Sequence, residues 1–109
     1  MYDYPATVVR VVDGDTVHLS VDLGFYVELH DRSVRIAHID APELSTDAGK
    51  AAKAYAQGLL GVGSQVTLLS HELDKYGRVL GSLTLSDGRD FGKAMIDAEQ
   101  AVPYEGGTR

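Results

Sequence analysis

The strongest restriction on the fold is a run in which apolar and polar residues alternate with a period of two. Apolar residues occupy every second position of this run and polar residues lie between them: Val17, Leu19, Val21 and Leu23 against His18, Ser20 and Asp22. This period places the apolar side chains on one face of an extended chain, so it predicts a half-buried β-strand and not a helix. Asp13-Gly14-Asp15 before the run and Gly24 after it are turn signals, which favours antiparallel neighbours on both sides.

Further strands are predicted on either side of this run. Residues 7–12 are β-branched and apolar, which suits a strand, and alternation restarts at Phe25, Val27 and Leu29. The apolar phase then shifts to Val34 and Ile36. A β-bulge within residues 30–33 would explain this shift, and so would a loop there. Residues 66–69 and 79–85 predict a fourth and a fifth strand, with turns at residues 74–78 and 87–88.

Two other segments have helical spacing. Asp47 is expected to cap a helix that begins at Ala48, with Tyr55 and Leu59 in the core. Gly61 or Gly63 can end this helix. A second, shorter helix is indicated by apolar residues at positions i, i+3, i+4 and i+7, namely Phe91, Ala94, Met95 and Ala98. The order of elements is three strands, a helix, two strands and a helix. It predicts a β-rich α+β fold of the OB type, a five-stranded barrel in a single domain 1–109 whose core covers about residues 6–102.

Composition excludes several classes of function. The 109 residues contain no cysteine, which removes disulfides, thiolate catalysis and cysteine-type zinc sites. No run of apolar residues approaches the length of a membrane span. Residues 1–5 do not resemble a signal peptide, so the sequence favours a cytoplasmic location or leaves the location unknown. The net charge of −6 at first argues against a nucleic-acid partner. Four of the acidic residues, Asp13, Asp15, Asp40 and Glu43, belong to the candidate metal site described next. Without them the chain has 16 − 4 = 12 acidic and 10 basic residues, so its charge is close to balanced.

Two short acidic segments are candidates for a metal site. One contains Asp13 and Asp15, and the other contains Asp40, Ala41 and Glu43. We expect Asp15 to begin the second strand and Asp40 to end the third, and these two places can be neighbours in an antiparallel meander. Carboxylates, a main-chain carbonyl and waters form an oxygen-only site that suits Ca²⁺ or Mg²⁺ better than zinc. Taken singly, Asp-Gly-Asp is more often only a turn, and a Glu after Pro is usually a solvated loop residue or a helix cap.

Three segments, taken together and in their order along the chain, favour a functional site over ordinary turns and loops. They are Val-Asp-Gly-Asp-Thr at 12–16, the stretch from Arg35 to Ile-Asp-Ala-Pro-Glu at 39–43, and Asp-Lys-Tyr-Gly-Arg at 74–78. Together they closely resemble the signatures of the staphylococcal nuclease (thermonuclease) family, and the similarity runs from about residue 6 to residue 102. The resemblance implies a five-stranded OB barrel and a calcium-dependent endonuclease that acts on DNA and RNA, with Mg²⁺ a less expected cofactor.

The resemblance also implies a role for each matching residue. The metal would be held by Asp15, Asp40 and the carbonyl of Ala41, with Asp13 assisting through water and Thr16 as a further neighbour. Glu43 would act as general base or position the attacking water. The remaining positions match residues that contact phosphate: Arg35 and Arg78 at the scissile group, Lys75 and Tyr76 at a neighbouring one. Arginine suits this task because its planar fork makes paired, charge-assisted contacts with phosphate oxygens.

Alternatives remain open at this stage. Arg35 could pair with a strand carboxylate, Arg78 could be an exposed hairpin residue, Thr16 could serve only the turn, and Tyr76 could pack on the barrel. The whole domain could be a silent OB module that binds oligonucleotides or a peptide, or an assembly subunit with a vestigial pocket. The chain also has a shorter loop before Asp47 than familiar members of the family, and it ends without their third helix. From these two departures we expect weaker and more salt-sensitive binding of single-stranded or frayed DNA or RNA than in basic relatives. We also expect a monomer and no membrane partner.

Overall fold

The computed structural model of the chain describes residues 2–73 and 78–104. Its elements follow in chain order as β1 (Tyr2–Asp13), β2 (Thr16–Gly24), β3 (Val27–Ile36), β4 (Ile39–Asp40), α1 (Asp47–Leu59), β5 (Gln65–Leu73), β6 (Val79–Thr84), α2 (Phe91–Asp97) and β7 (Val102–Pro103). Five of the strands close into a barrel in the order β1-β2-β3-β6-β5, in which β3 and β6 are parallel and the other pairs antiparallel. The predicted five-stranded OB-type barrel with two helices is confirmed.

Strand β3 contains the predicted bulge. Val21 pairs with Leu29 but Leu19 pairs with Arg32, so β3 has one more residue than β2 across this interval. Asp31 lies in the extra segment with a φ of 52°, outside the extended range. The strand itself continues to Ile36, which excludes the alternative of a loop. The bulge moves Val34 and Ile36 back to the buried face, where both are almost fully covered.

The core fills the barrel and extends under both helices. Val17, Val34 and Leu83 from the barrel are completely buried, as are Phe91 and Met95 of α2. Helix α1 contributes small side chains to the same cluster, namely Ala52 and Ala56. Tyr55 was predicted to be in the core but is 39% exposed, because the face that α1 turns to the barrel is the one that contains Ala52 and Ala56. Leu59 is partly buried against the core, as expected.

Three predicted boundaries near the acidic segments are wrong. Asp15 does not begin the second strand, because β2 begins at Thr16 and Asp15 lies in the turn before it. Asp40 does not end the third strand: β3 ends at Ile36, His38 turns the chain with a φ of 68°, and Asp40 lies in β4, which pairs with β7 in a separate two-stranded sheet. The cap of α1 is Thr46 and not Asp47, since the Thr46 hydroxyl accepts a hydrogen bond from the Gly49 amide at 2.9 Å. Neither described helix is long and apolar enough to span a membrane.

Candidate active site

The acidic segments meet at the end of the barrel where the β1–β2 turn lies. The turn formed by Gly14 and Asp15 follows β1 directly, and the Ala41 amide donates a hydrogen bond to Asp15 Oδ2 at 2.8 Å. This contact joins residues 26 positions apart in sequence. The Asp15 amide also donates to Asp13 Oδ1 at 3.1 Å, and the Thr16 hydroxyl donates to Asp15 Oδ1 at 3.3 Å. The expected proximity of the two acidic segments is therefore present in the structure.

Arg35 lies between the two predicted carboxylate ligands. Its Nη2 atom is 3.5 Å from Asp15 Oδ2 and 3.6 Å from Asp40 Oδ1. The same guanidinium donates to the carbonyl of Ile36 at 2.6 Å and to that of Ile39 at 3.0 Å. The pairing of Arg35 with carboxylates, considered above as an alternative, is thus present, and the carboxylates involved are those of the candidate site. The carbonyls of Ile36 and Ile39 were not identified from the sequence.

Asp15 is the electrostatically unusual member of this cluster. The residue is only 8% exposed. Loss of solvent through burial raises the pKa of its carboxyl to about 6, and the Asp13 carboxyl adds to this rise, whereas the Ala41 amide and the Arg35 charge oppose it. A buried anion of this kind is costly unless cationic charge is close. The cluster is therefore a place where additional positive charge would be stabilising.

Two glycines allow the acidic segments to approach so closely. A Cβ atom on Gly14 would lie 2.7 Å from Ala41 Cβ and 3.0 Å from Ala52 Cβ, so any side chain there would push the β1–β2 turn away from the Asp40 segment. A Cβ atom on Gly49, in the first turn of α1, would overlap the main-chain carbonyl of Glu43. Neither requirement was recognised from the sequence, where Gly14 is explained by the turn and Gly49 by nothing in the helical pattern.

The backbone of Glu43 is fixed, and its side chain is exposed. Its carbonyl accepts hydrogen bonds from the Thr46 amide at 3.0 Å and from the Thr46 hydroxyl at 2.7 Å, at the start of α1. Glu43 follows Ala41 by two residues, so the chain emerges directly from the contact with Asp15. The main chain of Glu43 is thus fixed two residues from the Ala41 amide that bonds to Asp15, and the role of its exposed carboxylate stays a prediction.

Arg78 is half-buried and immediately precedes β6. The parallel pairing of β3 and β6 sets Arg35 opposite Leu80, two residues beyond Arg78. Because side chains alternate along an extended chain, Arg78 is expected on the same face of the barrel as Arg35. The two other predicted substrate-binding residues, Lys75 and Tyr76, lie outside the described residues.

The oxygen atoms of this cluster are of the type that binds a hard cation. Carboxylate and carbonyl oxygens are the ligands that Ca²⁺ prefers, and Asp15 and Asp40 both approach one cationic atom, Nη2 of Arg35. Across residues 2–73 and 78–104, however, no group of three or more acidic or histidine side chains is arranged to hold a metal ion. A cation at this cluster would therefore depend on the two carboxylates, a main-chain carbonyl and water.

Comparison with known proteins identifies the family. The family model described as "Staphylococcal nuclease homologue" matches residues 33–108, more than half of the chain. The chain belongs to the staphylococcal nuclease family. The chain is 35% identical over 103 residues to an uncharacterized endonuclease of Escherichia coli, covering 94% of this chain and 63% of that protein. The chain thus spans somewhat less than two thirds of the length of that relative.

Two further relatives of the chain differ greatly in length. The endonuclease YhcR of Bacillus subtilis (strain 168) is 31% identical over 115 residues, which cover 94% of this chain but 9% of that protein. A micrococcal nuclease of Shigella flexneri is 35% identical over 79 residues, 72% of this chain and 41% of that protein. The staphylococcal nuclease domain described here is thus similar to segments of proteins with quite different total lengths.

Proposed function

We propose that the chain is a metal-dependent nuclease that hydrolyses phosphodiester bonds of DNA, RNA or both. The observation that carries this proposal is the convergence of Asp15 and Asp40 on the guanidinium of Arg35, at distances of 3.5 and 3.6 Å. Membership of the staphylococcal nuclease family and relatives named as endonucleases support the same activity. The proposal extends to calcium as the cofactor and to single-stranded or frayed nucleic acid as the preferred substrate.

The residues divide into an acidic and a basic group with different tasks. Asp15, Asp40 and the carbonyl of Ala41 would hold the cation, with Asp13 acting through water. When bound, a divalent cation polarises the phosphoryl group and lowers the pKa of water. These carboxylates would hold that charge beside a bound phosphate, and the burial of Asp15 lowers the local dielectric, so that such interactions would be stronger than in bulk water.

The basic group would bind the phosphate. Attack on a phosphodiester increases negative charge on the equatorial oxygens and on the leaving oxygen, and a preorganised arginine stabilises that charge. Arg35 is preorganised because its guanidinium donates hydrogen bonds to two main-chain carbonyls. Arg78 would approach the phosphate from the neighbouring strand, and Lys75 and Tyr76 would contact the next phosphate. Thr16 would orient Asp15 through its hydroxyl, which donates to Oδ1.

Glu43 would act on the attacking water. Its exposed carboxylate is carried by a main chain that Thr46 fixes, two residues beyond the Ala41 amide that bonds to Asp15. A carboxylate in that place can orient a water molecule or take a proton from it, and general-base catalysis of this kind typically contributes about 10²–10⁴-fold in rate.

The test compares wild type with Glu43→Gln on labelled single- and double-stranded DNA and RNA, each with Ca²⁺, Mg²⁺ or EDTA. We expect Ca²⁺-dependent cleavage that EDTA abolishes and that Glu43→Gln lowers by at least about 10²-fold. Glu28→Gln, at an exposed position of β3, is the matched control and should retain full activity. A protein that binds the oligonucleotides without cutting them under any condition would instead be the silent OB module.

A further inference from the structure

Two histidine rings from distant parts of the chain meet on the outside of the barrel. The ring centroids of His38 and His71 are 5.6 Å apart and the ring planes are inclined at 68°, which is an edge-to-face arrangement. This separation lies within the range of about 4.5–7 Å in which aromatic rings attract each other. His38 lies between β3 and β4, whereas His71 lies in β5. Neither histidine has a task in the proposed catalytic cluster, so that cluster does not explain the pair.

A bulge in β5 sets the direction of the His71 side chain. The register of β5 against β6 shifts between Ser70 and Glu72, so His71 is an additional residue of β5 at this point. Bulges of this kind change the direction of a side chain and are frequent next to active sites. The ring is then held in place by a hydrogen bond of 3.1 Å between its Nε2 atom and the hydroxyl of Ser82 in β6. His71 therefore occupies a fixed position on the barrel.

The turn between β3 and β4 presents His38 to solvent. Its neighbours in sequence, Ala37 and Ile39, are buried, whereas His38 itself is exposed. Its carbonyl accepts a hydrogen bond from the Tyr104 amide at 2.9 Å, which fixes the main chain below the ring. In an edge-to-face pair the edge of one ring covers only one face of the other, so aromatic surface remains accessible to a ligand.

The histidine pair lies on the same outer surface as Arg35. Arg35 stands between two buried residues of β3 and therefore faces outward, and Ser82, which bonds to His71, precedes a buried residue of β6 and faces outward too. Arg35 pairs with Leu80, and Leu80 pairs with Glu72, the neighbour of His71. Two strand spacings, about 10 Å, thus separate Arg35 from the start of the pair. That distance corresponds to roughly three nucleotides of a stacked strand.

We propose that the rings of His38 and His71 bind one unpaired nucleobase of a nucleic-acid strand whose phosphate lies on Arg35. This inference rests on the proposed nuclease function, which places the phosphate. Unstacked bases of single strands pack on aromatic rings, histidine included, with little dependence on base identity. The Nε2 atom of His71 is already engaged by Ser82, so this ring offers its face and not that nitrogen, which favours a base over a phosphate or a metal ion.

The test compares a labelled oligothymidylate with an oligomer of abasic sites that has the same length and the same phosphates. Binding is measured by fluorescence anisotropy with Ca²⁺, in a Glu43→Gln background that slows cleavage. His38→Asn removes one ring and keeps a residue that tolerates positive φ, and His71→Gln removes the other and keeps an amide that can bond to Ser82. Each substitution should weaken binding of the oligothymidylate at least about 5-fold. Binding of the abasic oligomer should be unchanged, which also shows that the variants are folded.

His30→Asn is the matched control, because it removes an exposed histidine of β3 outside the pair and should alter neither affinity. An equal loss for both oligomers would overturn the proposal, since the histidines would then contact phosphate or support the fold. Unchanged binding of the oligothymidylate would overturn it as well. A wild-type protein that cleaves nucleic acid without this base-dependent loss would reject the histidine site alone. A base-dependent loss in a protein that never cleaves would support the histidine site and reject the nuclease function.

Discussion

The buried carboxyl of Asp15 makes the metal-free protein less stable at neutral pH than it would be with a neutral side chain. Its pKa is about 6 in the folded protein against 3.8 for an ordinary Asp, a difference of about 2. Each pKa unit corresponds to about 1.4 kcal/mol, so ionised Asp15 costs the fold about 3 kcal/mol. The side chain is only 12% exposed, so solvent screening reduces this value little. We therefore predict that Asp15→Asn raises the free energy of unfolding in EDTA at pH 7–8 by up to about 3 kcal/mol.

The pH dependence fixes the sign of this prediction. Because the pKa of Asp15 is higher in the folded state, the folded protein binds this proton more tightly than the unfolded chain between pH 3.8 and 6. The stabilising effect of the proton is complete below pH 3.8 and is lost as the pH rises through about 6. The advantage of Asp15→Asn should thus be near zero at pH 4 and maximal above pH 7. The Ala41 amide keeps its acceptor in the variant, since an Asn side chain has one carbonyl oxygen.

The assay is urea unfolding followed by circular dichroism at half-unit pH steps from 4 to 8. Asp3→Asn, at an exposed position of β1, is the control and should follow the wild-type curve. Added Ca²⁺ should reverse the order at pH 7, because a cation bound to the folded state stabilises wild type by mass action and the variant much less. An Asn variant that is less stable than wild type at pH 7 in EDTA would refute the reasoning, as would an advantage of equal size at pH 4 and pH 8.

Three further substitutions test the geometry of the cluster. Gly14→Ala should lower nuclease activity at least about 10-fold with an unchanged circular dichroism spectrum, because its Cβ would lie 2.7 Å from Ala41 Cβ and displace the β1–β2 turn. Gly49→Ala should cost about 1–3 kcal/mol in urea unfolding, because its Cβ overlaps the Glu43 carbonyl; an unchanged midpoint would contradict this. Arg35→Lys should lower kcat/KM about 10²-fold, because an ammonium group cannot reproduce the planar fork that contacts phosphate; retention of half the activity would exclude the assigned role.

Most of the barrel could be predicted because its strands show the alternation of apolar and polar residues that half-buried strands require. The alternation from Val17 to Leu23 specifies which face of β2 is buried whatever the rest of the chain does, and the slip of phase before Val34 required a bulge or a loop. The helix cap was assigned one residue late. Thr46 and Asp47 are both good capping residues, and the choice of Thr46 depends on its hydroxyl bonding to both the Glu43 carbonyl and the Gly49 amide.

The residues of the candidate site could be predicted from the sequence. The contacts between those residues could not. Its carboxylates lie in two short motifs, whereas the hydrogen bond from Ala41 to Asp15 spans 26 residues and exists only when the barrel is closed. The contacts of Arg35 with the carbonyls of Ile36 and Ile39 depend on the turn at His38. Histidine is among the residues enriched at positive φ, but the sequence does not show which histidine adopts it. Side-chain chemistry can therefore be inferred from the motifs, and its geometry comes from the tertiary structure.

Both ends of β2 depart from the rules that the rest of the strand follows. At its start a carboxyl is buried where an apolar or neutral side chain would be more stable, and at its end two aromatic residues occupy positions that favour Asn-Gly. The middle of β2, from Val17 to Val21, follows the rules, since Val17, Leu19 and Val21 are buried. Departures of this kind are expected where a protein binds something. The burial of the Asp15 carboxyl thus favours a cation beside it.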